Sequence, residues 1–197
     1  MLQKMHVQCF ANVLTPDECR NMRDRAEALG FKQPQEGNFF GGARERVTLT
    51  DTEIAQKVWS RIGPCISPWY HWWWNDCTVV ADGKVVSVPW GKYVPCGINP
   101  CLRISKYNPG GCFKYHYDEN YYGGPDVGFH TILIYLNNTF EGGATCFSDE
   151  LGRINPQEGM AVVFYHRTLH CGNKVESGTK YVIRTEVMFK PRPWRFF

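Results

Sequence analysis

The chain has 197 residues, of which 43% are hydrophobic and 21% are charged, and its formal net charge is +3. This length suits one domain with a sizeable core, and neither the charge nor the apolar content is that of a disordered chain. Lysine and arginine are scattered without a dense run, so the composition does not favour a nucleic-acid partner.

The N-terminal residues and the cysteine pattern indicate the cellular compartment of the protein. The first residues lack the apolar segment of a signal peptide, and no apolar stretch is long enough to span a bilayer, so no membrane partner is expected. The nine cysteines are an odd number without CxxC spacing, which fits a reduced chain better than a secreted disulfide scaffold. Cys96 and Cys101 flank a turn and could bridge only in an oxidising compartment. The sequence therefore predicts a cytoplasmic protein.

Two amphipathic helices are predicted in the first third of the chain. Residues 15–18 (Thr-Pro-Asp-Glu) form a capping box with proline at the first helical position, and Gly30 is typical of the residue that follows a helix end. The second helix is predicted to begin near Asp51 and to end before Gly63. Between the helices, residues 39–46 are predicted as a loop and residues 47–49 as a short strand.

From about residue 65 the signals change to strands and turns. An aromatic cluster at 67–74 predicts either a substrate-facing wall or side chains that close one end of a barrel. Asp82 and Gly83 predict the turn of a hairpin over 79–86. Glycine-rich breaks separate six further strand candidates, at 102–107, 113–117, 130–136, 144–147, 160–165 and 181–189.

This order of elements predicts the fold class. Many short strands after two helices indicate a mainly β (α+β) protein built on a double-stranded β-helix, or jelly roll, with the N-terminal helices packed on one outer sheet face. We expect one domain over residues 1–197, with helical support over about 1–66 and the jelly-roll core over about 100–190.

The last strand candidate has an informative alternation. One face presents Lys180, Val182, Arg184 and Glu186, and the other presents apolar side chains that would pack outward against the helices. The charged face must then point into the barrel, where an unpaired cation is costly. An anionic ligand inside the barrel would remove that cost.

A metal site is predicted from residues in the C-terminal half. His116 and Asp118 are two residues apart and share one side of a strand, and a later histidine can complete a set of two imidazoles and one carboxylate. His170 is preferred over His166 because it lies where the chain leaves a strand and ten residues before Lys180. Zinc accepts the same three ligands, but the predicted buried cation favours iron with a dicarboxylate cosubstrate.

Several motifs together resemble the prolyl 4-hydroxylase branch of the iron- and 2-oxoglutarate-dependent dioxygenases. The resemblance covers roughly residues 100 to 190, in the order and spacing of that family. The motifs that carry it are residues 102–111 (LRISKYNPGG) leading into 116–118 (HYD), 134–137 (IYLN), 141–145 (EGGAT), and His170 with 178–187 (GTKYVIRTEV).

The resemblance implies roles for individual residues. His116, Asp118 and His170 would ligate Fe(II), and Lys180 would pair with the distal carboxylate of 2-oxoglutarate. Four other residues are implied in cosubstrate binding: Tyr107 and Tyr135 by approaching it, Thr131 by lining its pocket, and Arg184 either as a second anion contact or as a partner of Glu186. The resemblance also implies O2 as the co-reactant and allows ascorbate as a reductant.

The predicted function is hydroxylation of an unactivated C–H bond. Family members that halogenate carry a small residue at the position of Asp118, so its carboxylate implies hydroxylation here. A prolyl or other amino-acid residue in a peptide is the first substrate candidate, and a free amino acid or small metabolite is the alternative. A non-catalytic jelly-roll binding module is the alternative from another class. Oligomeric state is left open.

Overall fold

The computed structural model describes residues 7–33, 44–66, 70–72, 78–81, 84–87, 91–123, 126–148 and 152–192. Two α-helices are present in these ranges, α1 over Pro16–Leu29 and α2 over Thr52–Ile62, and a 3₁₀ turn over Gly63–Cys65 follows α2. Thr15 caps α1 through the predicted capping box, and Asp51 caps α2 by accepting a hydrogen bond from the Ile54 amide. Neither described helix is long and apolar enough to cross a membrane.

Seventeen strands are described, and most are short. In chain order they are β1 (Gln8–Phe10), β2 (Glu45–Thr50), β3 (Tyr70–Trp72), β4 (Thr78–Ala81), β5 (Lys84–Ser87), β6 (Gly91–Ile98), β7 (Cys101–Tyr107), β8 (Phe113–His116), β9 (Tyr121–Gly123), β10 (Asp126–Tyr135), β11 (Phe140–Gly142), β12 (Thr145–Phe147), β13 (Arg153–Ile154), β14 (Ala161–Tyr165), β15 (His170–Gly172), β16 (Val175–Gly178) and β17 (Lys180–Arg192).

All the described strand pairings are antiparallel. A large sheet has the order β1-β14-β10-β17-β6-β3, with β7 also paired to β17, β2 to β7 and β9 to β10. A smaller sheet has the order β13-β12-β15-β8, and β4–β5 and β11–β16 form separate pairs. The long strand β17 pairs with β10, β7 and β6, so the two strands that flank its first half hold it in fixed register.

Two apolar clusters show which face of each sheet is covered. The first joins buried helix side chains such as Met22 and Val58 to Ile104, Ile132 and Ile183 of the large sheet. The second fills the interior with a different set, Tyr107, Tyr135, Phe147, Met160, Val162, Phe164, Val175 and Val182. The predicted mainly β fold, with its helices on one outer sheet face, is therefore confirmed.

The structure differs from the sequence-based prediction at several elements. Strand β2 begins at Glu45, so the predicted end of the loop at residue 46 is wrong. The polar residues at 45 and 46 are extended because they pair with β7. Eight strands were not predicted: β1, β3, β6, β9, β11, β13, β15 and β16. The pairing of β4 with β5 confirms the predicted hairpin, and its turn lies outside the described residues. The side chains of residues 67–92 also lie outside the description, so the role predicted for the aromatic cluster is not tested.

Candidate active site

Three of the predicted site residues meet at one point. His116 ends β8 and His170 begins β15, and the two residues are Cα partners across these antiparallel strands. Asp118 follows β8, where its amide donates to the His166 carbonyl at 2.9 Å. One potential ligand atom from each of His116, Asp118 and His170 lies within 4.8 Å of the other two.

Backbone hydrogen bonds orient both imidazoles. The Nδ1 atom of His116 lies 2.8 Å from the Lys114 carbonyl, and that of His170 lies 2.9 Å from the Thr168 carbonyl. Because a carbonyl can only accept, each Nδ1 must carry the proton, which leaves both Nε2 lone pairs free. Burial lowers the pKa of His116 to about 4 and also lowers the pKa of His170, so both rings are neutral at neutral pH.

The Asp118 carboxylate faces both Nε2 atoms. Its Oδ1 lies 3.8 Å from Nε2 of His116, and its Oδ2 lies 3.6 Å from Nε2 of His170. Burial raises the pKa of this carboxyl, but the Arg184 guanidinium outweighs that effect and, with the neighbouring imidazoles, holds the pKa well below its usual range. The Thr131 hydroxyl donates to Oδ2 at 2.5 Å, and Arg184 Nε donates to Oδ1 at 3.0 Å. The carboxylate is thus ionised and fixed.

These donors fit a divalent transition metal. Two neutral imidazoles with free Nε2 atoms and one ionised carboxylate converge from the same side, and the side chains are only 4 to 8% exposed. This is the ligand set typical of non-haem Fe(II) with open coordination positions. The partners that fix the rings and the carboxylate are the kind of outer contact that orients metal ligands.

Lys180 provides a buried cation in the same cavity. The cavity encloses about 570 Å³ including its open mouth, and its lining includes His116, Asp118, His170 and Lys180. The Lys180 side chain is 4% exposed, and its Nζ donates to the Gly143 carbonyl at 2.6 Å. Burial lowers the pKa of this ammonium to about 8, which is the response expected of a cation without a carboxylate beside it.

Two of the other predicted cosubstrate residues surround Lys180. Its Nζ lies 5.6 Å from the ring centroid of Tyr107 and 5.4 Å from that of Tyr135. Tyr107 lines the cavity directly. The Tyr135 hydroxyl donates at 2.7 Å to Thr145, and Thr145 also lines the cavity. Thr131 donates its hydroxyl to the Asp118 carboxylate and is not among the side chains that line the cavity, so its contact with the cosubstrate stays a prediction.

The charged inward face of β17 is confirmed. Lys180, Arg184 and Glu186 all point to the interior side, and Glu186 is fully buried. Arg184 is a partner of Glu186, one of the two alternatives from the sequence, through Nη1 at 3.0 Å. It also binds Asp118 through Nε and Nη2, and its contact to the cosubstrate anion stays a prediction. His166 is also fully buried, but it bonds Asn120 and does not join the three converging residues.

Sequence reasoning missed three arginines of the cavity wall. The cavity is lined by Arg44, Arg46, Arg103 and Arg184, and only the last was predicted as a site residue. Arg103 shares the inward face of β7 with Tyr107, so the two-residue alternation of that strand could have found it. Arg44 and Arg46 lie in a segment predicted as a loop, where no face can be assigned.

Comparison with known families agrees with the site geometry. A profile of the 2OG-Fe(II) oxygenase superfamily matches residues 102–185, the part that contains all three candidate ligands and Lys180. A candidate prolyl 4-hydroxylase of Acanthamoeba polyphaga mimivirus is 25% identical over 195 residues, an alignment that covers 87% of this chain and 69% of that protein. The resemblance predicted from the motifs is confirmed.

Solved structures share the fold. A viral collagen prolyl hydroxylase from Paramecium bursaria Chlorella virus-1, in complex with 2OG, is 19% identical with a TM-score of 0.63, covering 93% of this chain and 96% of that one. A prolyl hydroxylase from Trichoplax adhaerens, bound to a hypoxia-inducible factor peptide fragment, is 16% identical with a TM-score of 0.61, covering 92% and 82%. The predicted jelly-roll fold is confirmed, and the family match confirms an enzyme over a non-catalytic module.

Proposed function

Because the profile of the 2OG-Fe(II) oxygenase superfamily matches residues 102–185, we propose that the chain hydroxylates an unactivated C–H bond of an amino-acid residue in a peptide, with prolyl as the first candidate. One observation carries the proposal: the His116, Asp118 and His170 donors converge in the same cavity that holds the buried Lys180 ammonium. A metal site and an anion site in one cavity are what this reaction needs.

The proposed reaction balances through 2-oxoglutarate. The substrate C–H bond becomes C–OH with one oxygen atom of O2, and the other oxygen atom enters succinate as 2-oxoglutarate loses CO2. Fe(II), when bound, supplies the activation of O2 that this exchange requires. Ascorbate as a reductant and a cytoplasmic location remain predictions from the sequence.

The residues of the chain bind and orient the reactants. Lys180 binds the distal carboxylate of 2-oxoglutarate with a charge-assisted hydrogen bond in a buried pocket, where Tyr107 packs against the cosubstrate. Thr131 and Arg184 hold the Asp118 carboxylate in one rotamer, so it cannot turn away from the metal. The carbonyls of Lys114 and Thr168 do the same for the imidazoles.

The peptide substrate is inferred from kinship. The candidate prolyl 4-hydroxylase that is 25% identical and the peptide-bound hydroxylase that shares the fold both point to prolyl residues. A free amino acid or small metabolite is the second candidate, and it is favoured by the arginines that line the cavity beside the proposed metal ligands.

The test is oxidation of proline-containing peptides. The purified chain is incubated with Fe(II), 2-oxoglutarate, O2 and a proline-rich peptide, and succinate release is compared with the mass gain of the peptide. We expect one added oxygen atom per succinate, and none when every proline of the peptide is replaced by alanine.

Variants locate the activity at the proposed site. His116→Ala should abolish succinate release while the thermal unfolding midpoint of the metal-free chain stays close to that of the wild type. Arg20→Gln on the exposed face of α1 serves as a control with normal turnover. Unchanged activity of His116→Ala would contradict the ligand assignment, and failure to bind both Mn(II) and 2-oxoglutarate would contradict the proposed function.

A further inference from the structure

Three neighbouring segments of the large sheet direct arginines into the cavity. Arg46 on β2 is the Cα partner of Ser105 on β7, which is in turn the partner of Val182 on β17. Arg103 and Arg184 are direct Cα partners on β7 and β17. These positions line one cavity together with the proposed iron ligands, so the positive charge lies in the cavity in which an acceptor substrate would react.

Two of the arginines already have anionic partners. Arg103 Nη1 lies 2.5 Å from Glu186 Oε1, and Arg184 Nη1 lies 3.0 Å from the same oxygen. Arg184 also binds Asp118, and the charge of Glu119 acts on it. The acidic residues at this wall are therefore committed to Arg103 and Arg184.

Arg44 and Arg46 have no such partner in the part of the chain that the structure describes. The Nε–H groups of both are buried and donate to no acceptor there. Neither guanidinium forms an ion pair with a described carboxylate. Arg44 is only 5% exposed, and its guanidinium carbon lies 3.8 Å from the ring centroid of Phe113. The Phe113 ring in turn contacts that of His116, with centroids 3.9 Å apart, which places Arg44 beside a proposed iron ligand.

The four guanidinium groups repel one another. Burial lowers the pKa of Arg46 to about 10, and the charges of Arg44, Arg103 and Arg184 act in the same direction. A buried cation without a counter-charge is costly, and guanidinium groups match carboxylates with two parallel hydrogen bonds. The wall is thus complementary to a further anion.

2-Oxoglutarate does not supply that anion. Its distal carboxylate is assigned to Lys180, whose Cα partner on β7 is Tyr107, two residues along the strand from the partner of Arg46. Its other carboxylate would be held at the proposed Fe(II), where the metal charge and Asp118 would balance it. The Arg44 and Arg46 charges are left over once the cosubstrate is bound.

We propose that Arg44 and Arg46 bind a carboxylate of the acceptor substrate, so that this enzyme hydroxylates an acidic acceptor rather than a neutral prolyl segment. This inference rests on the proposed function. The carboxylate is either the α-carboxylate of a free amino acid or an acidic side chain beside the hydroxylated residue of a peptide. The guanidinium pair would then hold the reacting carbon at a fixed distance from the metal.

The test compares acids with matched neutral compounds. Each free amino acid is paired with its amide, and proline peptides with a neighbouring glutamate are paired with the same peptides carrying glutamine. Binding to the chain loaded with Mn(II) and 2-oxoglutarate is measured by calorimetry without oxygen, and stimulated succinate release is measured with Fe(II) and oxygen. We expect the acid of at least one pair to bind about tenfold or more tightly than its neutral counterpart; which pair responds identifies the source of the carboxylate.

Variants assign the effect to the two arginines. Arg44→Gln and Arg46→Gln should each raise the KM of the responding acid about tenfold or more. The KM of its neutral counterpart should rise by a much smaller factor. Arg44→Lys keeps the charge without the planar fork and should recover part of the affinity. Arg20→Gln, an exposed arginine on α1, is the matched control. Thermal unfolding confirms that each variant is folded.

Three outcomes overturn the inference. The first is that neutral compounds bind as tightly as their acids, and the second is that no acid binds at millimolar concentration. The third is that the arginine variants lose as much affinity for 2-oxoglutarate as for the acid, which would assign the arginines to the cosubstrate. Failure of the proposed function is a separate result, because it shows as loss of Mn(II) and 2-oxoglutarate binding in the wild type. Acid binding to the metal-free chain is then still measurable by nuclear magnetic resonance.

Discussion

Lys180 carries the cosubstrate part of the proposal at the scale of a single residue. The ammonium is almost completely enclosed, donates to the Gly143 carbonyl and stands against two tyrosine rings. Its burial costs folding free energy, and the carboxylate of a dicarboxylate ligand offsets that cost. The residue should therefore affect folding and ligand binding in opposite directions.

Replacing Lys180 by methionine separates these two effects. Lys180→Met keeps the length of the side chain and removes its charge, so we expect 2-oxoglutarate affinity to fall by about 2–4 kcal/mol, or roughly thirty- to a thousandfold. The free energy of unfolding of the metal-free chain should stay equal or rise, because the buried charge is gone. Calorimetry on the Mn(II)-loaded chain and urea unfolding measure the two quantities. Normal 2-oxoglutarate affinity in this variant would contradict the assignment to Lys180 and would favour Arg184 as the residue that contacts the cosubstrate.

Thr131 is a positioning residue for the metal ligand Asp118. Thr131→Val has nearly the same shape and removes the hydroxyl that donates to the carboxylate at 2.5 Å. Loss of such an outer contact weakens metal binding by about ten- to a hundredfold. Mn(II) titration followed by electron paramagnetic resonance measures the affinity. Thr185→Val also removes a buried hydrogen bond, to the Asn99 carbonyl, and should leave the Mn(II) affinity normal.

At the scale of elements, the connection between β11 and β12 shapes the Lys180 pocket. Gly143 has a φ of +61°, and a Cβ atom there would lie 3.0 Å from Phe140 Cε2 and 3.2 Å from Lys180 Cδ. The close approach allows its carbonyl to accept the Lys180 hydrogen bond. The positive φ favours glycine, and any side chain there would have to displace Phe140 or Lys180 by a few tenths of an ångström.

Gly143→Ala tests this dependence. We expect the free energy of unfolding to fall by about 1–2 kcal/mol from backbone strain, and 2-oxoglutarate to bind more weakly because the Lys180 stem is displaced. Gly30→Ala also places alanine at a positive φ, +81°, but a Cβ there meets nothing within 4 Å. It should lose stability and keep its 2-oxoglutarate affinity. Equal ligand affinities in the two variants would show that the Gly143 contact does not shape the pocket.

Local patterns predicted the elements whose signals are themselves local. The capping box at Thr15 and the alternation of Lys180, Arg184 and Glu186 depend only on residues a few positions apart, and both match the structure. Arg44 and Arg46 have no such signal, because their segment becomes a strand only by pairing with β7. Their place in the cavity depends on that pairing, which the sequence does not encode locally.

At the scale of the whole molecule, the site exists because distant segments meet. His116 and His170 become neighbours through the pairing of β8 with β15, and Lys180 is brought to them on the opposing sheet. The sequence-based prediction reached these residues through motif spacing. It could not give the bond from Thr131 to Asp118 or the double partnership of Arg184, because those contacts follow from side-chain packing between sheets.

Burial of several histidines in the same molecule predicts how its stability depends on pH. Burial lowers the pKa of His116 and His130 to about 4 and that of His166 to about 3. An unfolded histidine takes up its proton near pH 6.5, so between pH 6.5 and 4 protons bind mainly to the unfolded chain and favour unfolding. The stabilisation is therefore complete above pH 6.5 and is lost as the pH falls towards 4.

We expect the free energy of unfolding of the metal-free chain to fall on acidification through this window, by about 1 kcal/mol per pH unit for each such histidine. Urea unfolding at a series of pH values, with a chelator present, measures it. His130→Phe keeps an aromatic ring in the position that stacks on Phe189 and removes one titrating group, so its stability should depend less steeply on pH than that of the wild type. Equal slopes for the two proteins would mean that His130 takes up its proton as readily in the folded chain as in the unfolded one, and that burial of its ring does not contribute to acid sensitivity.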